Sequence, residues 1–538
     1  MAVRRFYSAG WTITSDLRQK KPRAHRQYGY AGYPGRTRRL ALHIGDTMTI
    51  LSKTQFGLMS GLLLLGAALV QPALIQSAQA AGKTSGLRIA TFETDATPPI
   101  GYEMGYSVVK SIATPLQAKG VVITGAGKPI VMLSVDWGGV DGRARDEWHA
   151  LLAQAAGTTP DRVTVHHLHQ HDAPGASFHI YDERAKLGLP ERIPAGLPDK
   201  RVWARTVMEN SATALTKALK SAKPVTHLGL GKANAERIAS NRRIMGSNGR
   251  VAMHRQSTYT SVYPAEVAAM LKIDADADGH KLSIFHPKEA QDAPEGLIDP
   301  AVRVISFWNG NRALAALTYY ATHPQVSFGK GIVTPDFVGL ARERHQKETG
   351  VFQVHFNGAG GNITLGKYND GSDRAREEFT VRFVDAMRRA WKSTERSALT
   401  PADVEWRTTG ISLPAKYGAF KDEARAVAAD PKRPAGERVA AINKYARAEA
   451  LEEGTTLSAL RVKDAYSVHI PGEAFIEYQL GAQAIRPDTF VAVAAYAEGF
   501  GYIGTEKSYG EGGYEITISP TTLAAEKVIM DGVRKLLQ

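Results

Sequence analysis

The sequence contains no cysteine. That excludes a disulfide framework, a thiolate-ligated metal and a cysteine nucleophile together. No segment recurs at a period of 20–50 residues, which argues against a solenoid or a propeller. The body of the chain also lacks a strong excess of one charge. The formal charge of +14 would ordinarily point to nucleic acid, but ten basic residues against Asp16 and Asp46 crowd into 1–47. The first 80 residues hold +9 of that charge, which leaves +5 over 81–538. No nucleic-acid partner is expected for the body. What is present is ordinary globular material, 43% hydrophobic and 22% charged over 538 residues.

The N-terminal part divides in two. Residues 1–47 are basic, Gly/Arg/Tyr-rich and aperiodic, as in a disordered extension or a start codon placed too early. Residues 48–80 place Lys53 before the apolar run FGLMSGLLLLGAALV and end in SAQA, with small residues at Ala78 and Ala80. That pattern predicts a signal peptide cleaved after Ala80 and an exported, periplasmic or secreted protein. The competing reading is a membrane anchor, because the apolar stretch is nearly long enough to span a bilayer.

From 81 to 538, short β-branched runs alternate with helical patterns. VVITG, PIVMLSVDW, RVTVHHLH, RVISFWNG, ALAALTYYATH, GVFQVHFNG and AYSVHIPG read as strands, several of them apolar on both faces. Helical stretches such as DKRVWARTVMENSATALTKALKSA lie between them. The alternation predicts an α/β fold, a layered mixed β-sheet core flanked by helices in one catalytic domain. The charged, Ala-rich segment at about 416–460 reads as a helical insertion, either a lid or a solvated surface excursion.

The densest chemical signal is TVHHLHQHDAPG, with His166, His167, His169 and His171 within six positions. Alternation along a strand would put His167, His169 and His171 on one face, where imidazoles serve as metal ligands or as acid/base groups. Any one of them could equally be a satisfied core histidine. His323 precedes Pro324 at the end of another apolar run, a strand exit where α/β sites gather. FNGAGGNITLG runs from a strand into a glycine-rich turn. Gly358, Gly360 and Gly361 would permit positive φ there and let amides approach an anion, with Asn362 and Thr364 at the mouth. A plain tight turn fits the same residues. Glu473 follows Pro471-Gly472, and the last motif, AEGFGYIGTEKSYGEGGYE, carries Tyr496, Tyr502, Tyr509 and Tyr514. Such phenols are commonly structural, but they can also donate to an oxyanion or bind a metal.

These pieces, in this order and together with TDATPPIGYEMGY, LQAKGVVI and SVDWGG near the start, resemble the catalytic domain of the neutral/alkaline, non-lysosomal ceramidases over roughly 88–538. The resemblance implies a zinc-dependent hydrolase that cleaves the amide of an N-acyl amine, with N-acylsphingosine as the family's substrate and peripheral membrane contact to reach it. It implies Zn²⁺ on His169, His323, Glu473 and Tyr502, with His171 as the acid/base or oxyanion-side histidine. Tyr514 would be the substrate-polarising phenol, and Arg242, in Asn241-Arg242, the substrate-orienting cation. Thr364 stands where the family has a catalytic serine, and Asp172 where it has a small serine. The chain ends at Gln538, one helix past the tyrosine loop, so the resemblance covers the catalytic part without the family's immunoglobulin-like domain.

Chemically, two imidazoles, a carboxylate and a phenolate with room for one more ligand form an open catalytic site. Either Thr364 or a water is the attacking group. Two other classes fit the same residues: a hydrolase of another amide or ester, and a non-catalytic metal- or ligand-binding protein on the same scaffold.

Overall fold

The computed structural model describes residues 86–105, 107–189, 195–259, 287–327, 329–416, 418 and 421–538. The basic extension over 1–47 and the apolar segment over 48–80 lie outside them. Among the described residues, no helix is long and apolar enough to cross a membrane.

Three sheets build the core. In the first, β1 (Arg88–Asp95), β2 (Gln117–Thr124) and β3 (Ile130–Val135) pair antiparallel. β4 (Val163–His167) adds in parallel to β3, and the short β5 (Lys223–Pro224) closes the far edge. The parallel step needs a crossover, supplied by α1 (Gly142–Ala156), which Asp141 caps by accepting from the Ala144 amide. After β4 come α2 (Phe178–Lys186) and α3 (Lys200–Leu219). The second sheet runs in the order β9 (Phe352–Asn357), β8 (Arg312–Tyr320), β7 (Ala301–Asn309), β6 (His227–Asn234), β10 (Glu395–Ala398). Its one parallel pair, β8 with β9, is bridged by α4 (Asp336–Thr349), beside which lies α5 (Asp373–Lys392).

The third sheet holds β11 (Val404–Ile411), β12 (Thr455–Val462), β13 (Ala465–His469) and β14 (Phe490–Ala494). The charged segment between β11 and β12 forms α6 (Lys421–Ala429) and α7 (Ala435–Glu453). The crossover between the parallel β13 and β14 is α8 (Ile476–Ile485), and α9 (Ala525–Leu537) packs beside it.

The layering follows from strand alternation. In the first sheet, Ala90, Phe92, Val122 and Leu133 face α1 and α3, while Ile89, Val121, Ile123 and Met132 face inward. The inward faces of all three sheets meet in one core that includes Val121, Phe307, Leu317, Phe356, Leu460 and Ala492. Helices cover each outer face: α4 and α5 on the second sheet, α8 and α9 on the third. This is the layered α/β fold with a mixed sheet core that the strand–helix alternation implied. Each large apolar side chain so buried contributes roughly 1.5–3 kcal/mol.

This arrangement fixes where chemistry can occur. The parallel strands β4, β9 and β14 end side by side: His167 N–H donates to the Tyr496 carbonyl (3.2 Å), and Ala495 N–H donates to the Asn357 carbonyl (2.9 Å). Their C-terminal ends therefore open onto a common region, the place where α/β sheets bind ligands. A buried ion pair braces it, with Arg342 of α4 donating two hydrogen bonds to Asp136 at the end of β3 (2.6 and 2.8 Å).

Candidate active site

The histidine-rich strand ends at His167, and the alternation ends with it. His167 stays inside, buried. Two residues later the backbone turns through a left-handed conformation, with His169 at φ 64°. A non-glycine residue held there carries backbone strain, which persists only where surrounding structure enforces it. Here the His169 amide donates to the Trp137 carbonyl (2.9 Å), and Tyr496, itself at φ 63°, stacks on the imidazole at 4.9 Å. The turn, not a shared strand face, brings His169 and His171 together, their rings 5.2 Å apart.

His323 comes from the other direction, three residues beyond the end of β8. Its ring lies 4.8 Å from His169 and 5.0 Å from His171. Ligating atoms of the three residues all fall within 4.8 Å of one another. The Nδ1 atoms face backbone carbonyls: His169 that of Gly138 (2.8 Å), His171 that of His169 (3.2 Å), His323 that of Gly360 (3.2 Å). A carbonyl can only accept, so each Nδ1 carries a proton there. Burial, reinforced by Arg242 and the neighbouring imidazoles, holds His171 and His323 well below the ordinary imidazole range. They are neutral at pH 7, as ligands must be.

Glu473 completes the group. Its Oε2 is 3.3 Å from His169 Nε2 and 3.9 Å from His323 Nε2. Gly472, at φ 65°, makes the turn that a Cβ would obstruct against Gly501 and Ile503. The turn also sets Glu473 in a two-residue parallel ladder opposite Tyr502. The Tyr502 hydroxyl accepts from Arg242 Nη1 (2.8 Å), and Arg242 Nε donates to the Ile363 carbonyl (3.0 Å). Burial disfavours the Arg242 charge, yet Tyr502, Glu515, Glu473 and Tyr514 around it raise its pKa above the ordinary value. Burial likewise raises Tyr502 well above a free phenol, against the opposing pull of Arg242. Tyr514 follows, its ring 6.0 Å from Tyr502 and 5.3 Å from His254.

The donor set fits a divalent cation. His323 Nε2 is buried and makes no hydrogen bond, a costly state for a polar atom unless a ligand satisfies it. Imidazoles and a carboxylate are the donors that zinc and its neighbours in the first transition row select. His169 and His171 also line a cleft of about 270 Å³, together with Glu103, Met104, Gly139 and Tyr181, so the group is reached from outside.

Thr364 is placed differently. Its hydroxyl donates to the Gln256 carbonyl (2.8 Å) and accepts from the Gly366 amide (3.2 Å), in a short ladder with Ser240. The preceding glycines are not an anion cradle. None of Gly358, Gly360 and Gly361 has a positive φ. They are needed for close approach, since a Cβ at 360 would strike the Thr322 carbonyl and one at 361 the Glu473 carbonyl. This is how the loop slides under both His323 and Glu473.

Sequence reasoning gave several residues no role, Asp172 among them. Asp172 clasps two loops over the cleft, accepting from Ser107 (3.0 Å) and from the Gly329 and Lys330 amides (2.8 and 3.0 Å). Buried His254 and Glu515 stand behind Tyr514, 3.5 Å apart. The only sequence signal for Glu515 was its adjacency to Tyr514.

No protein-family model matches the chain, and no curated protein sequence matches it. Solved structures do match in fold. A ceramidase complexed with C2 superposes with a TM-score of 0.56 at 15% identity, over 84% of this chain and 75% of that one. A neutral ceramidase from Pseudomonas aeruginosa gives 0.55 at 16% identity, over 84% and 74%. The chain shares their fold, the one that the motif order implied.

Proposed function

We propose that this chain is a metal-dependent hydrolase that cleaves the amide bond of an N-acyl amine, with a ceramide-like lipid as substrate. One observation carries the reading: His169 and His323, each with Nδ1 against a carbonyl, bring their Nε2 atoms to 3.3 and 3.9 Å from Glu473 Oε2, with a ligating atom of His171 within 4.8 Å of theirs. His169, His323 and Glu473 would hold the ion, because the Glu473 oxygen lies near both of those Nε2 atoms. Tyr502 would support them from its ladder with Glu473. Bound there, Zn²⁺ would polarise the scissile carbonyl and acidify water.

The protein's own groups supply the rest. His171 lines the cleft and is neutral, so it can take a proton from the attacking water and return it to the departing nitrogen. Water oxygen joins the acyl carbon, the C–N bond breaks, and a carboxylic acid and an amine leave. Arg242, with Tyr514, faces the developing oxyanion, worth about 3–4 kcal/mol per well-placed donor. Thr364, its hydroxyl engaged by Gln256, positions this wall and does not attack. The ceramidase fold supports the choice of an amide over an ester. The segment over 48–80 supports export, with the mature chain starting near residue 81.

Metal analysis of the purified chain, coupled to turnover of matched N-acyl amines and esters, tests the reading. Amide turnover that is lost on chelation and restored by Zn²⁺ is expected. A fully metal-loaded protein inert toward every acyl amide would end it in favour of the binding-protein reading.

A further inference from the structure

A second set of ligand atoms lies where α2 meets the inserted helices. His179, on the first turn of α2, is 2% exposed, and neither of its ring nitrogens makes a hydrogen bond. Its backbone is fixed, because the amide donates to Asp141 at the cap of α1 (2.8 Å). Across from it, Glu449 and Glu453 stand one turn apart on α7, a spacing that puts both on one helix face. Nε2 of His179 lies 3.6 Å from Oε2 of Glu449, and Nδ1 lies 3.9 Å from Oε2 of Glu453. Both separations exceed a hydrogen bond. One ligating atom from each residue falls within 4.8 Å of the others.

The carboxylates are oriented from behind. Lys421 holds Oε1 of Glu449 (3.0 Å), and Arg143 reaches Oε1 of Glu453 (3.5 Å). Tyr445 also hydrogen-bonds Glu449, and in each carboxylate the oxygen nearest the imidazole is Oε2. Outer partners that fix a ligand's rotamer in this way are the usual support of a metal site. The same cations are shared with other acids, Arg143 with Asp182 (3.1 Å) and Lys421 with Glu452 (2.6 Å), so they do not neutralise the pair fully. An imidazole removed from water with both nitrogens unsatisfied is costly. Two carboxylates one turn apart also repel each other. A cation between them removes both penalties.

We infer that His179, Glu449 and Glu453 form a binding site for a divalent cation of the Zn²⁺ class, separate from the histidine group of the cleft. One imidazole and two carboxylates suit Zn²⁺, Mn²⁺ or Co²⁺ better than Ca²⁺ or Mg²⁺. Its role is structural. The inserted helices otherwise hold to α2 through a small apolar cluster of Ala428, Ala441 and Ile442 against Ile180 and Leu187 and a hydrogen bond from Arg438 to the Leu187 carbonyl (3.2 Å). Tyr181, two residues after His179, lines the cleft. An ion here staples the insertion to the cleft wall, and its binding energy adds to stability.

Zinc counting on the full-length chain, stripped with chelator and reloaded with Zn²⁺, tests this. Two ions per chain are expected in the wild type, and one in each of His179→Ala and His169→Ala. If His179→Ala does not fold, the double variant Glu449→Gln/Glu453→Gln keeps the buried ring and removes only the charges. It should also bind one ion and lose the Zn²⁺-dependent rise in Tm, which His169→Ala should retain. A stoichiometry unchanged by His179→Ala or by the double variant overturns the proposal, whatever happens at the cleft. One ion lost in His179→Ala but kept in His169→Ala would support it while overturning the cleft reading.

Discussion

Two groups of histidines, one within the strands and one just past strand ends, differ in what their nitrogens face. His469 on β13 lies between two hydroxyls, Ser458 at Nδ1 (2.9 Å) and Ser467 at Nε2 (3.0 Å). His166 on β4 has Nε2 at the Asn357 backbone (3.1 Å) and Nδ1 near Ser134 (3.4 Å). A hydroxyl donates or accepts as required, so both nitrogens of these rings are used inside the protein. His169, His171 and His323 meet a carbonyl at Nδ1, and the Nε2 atoms of His169 and His323 lie beside Glu473. Histidine burial alone therefore does not mark a site. The kind of partner at the first nitrogen does.

Several substitutions would break or sharpen that contrast. The largest effect belongs to His169→Ala, which should abolish the cleft ion and reduce turnover to background while the far-UV spectrum is unchanged. A variant that kept both ion and activity would dissolve the distinction. Next comes Arg242→Met, expected to lower kcat about 10²- to 10³-fold, the usual cost of an oxyanion donor. Its metal content should match the wild type, so an equal loss of zinc would move Arg242 into the ligand-supporting role.

On the structural side, His469→Ala should cost about 2–4 kcal/mol, through a cavity and two stranded hydroxyls. Denaturant unfolding would measure this, and kcat per folded molecule should stay at the wild-type level. Burial holds folded His469 and His166 at a pKa of about 3, against 6.5 for a free imidazole. The unfolded chain therefore takes up protons first, so stability is full above about pH 6.5 and falls as pH drops toward 3. His469→Asn should flatten that acid limb in unfolding curves recorded between pH 7 and 4. The smallest effect is expected of Thr364→Ala, a less than tenfold fall in kcat. A loss of a thousandfold or more, with a trapped acyl-enzyme, would instead identify Thr364 as a nucleophile.

Much of the fold could be read from the sequence because the information is local. β3, β4, β7, β8, β9 and β13 are short apolar runs buried on both faces, and α3 and α5 carry helical spacing. The site was legible in part for the same reason: His169, His323 and Glu473 each fall just past a strand end. What misled was extrapolation of a local rule. Alternation put His167 with His169 and His171, but the strand stops at His167 and φ 64° at His169 resets the direction. The glycines before Thr364 suggested positive φ, whereas the crowding of the Thr322 and Glu473 carbonyls is what demands them. His179, Glu449 and Glu453 carried no signal, because two of them lie some 270 residues from the first along the chain.

By itself the sequence determined the α/β class, the order of strands and helices, and the residue types available at each strand exit. These follow from periodicity and from side-chain chemistry, which act over a few residues. Only the tertiary structure decided which imidazole nitrogens are satisfied by hydroxyls and which are left facing Glu473. That choice depends on loop carbonyls past the strand ends and on hydroxyls and backbone from strands of three different sheets, and no local rule carries it.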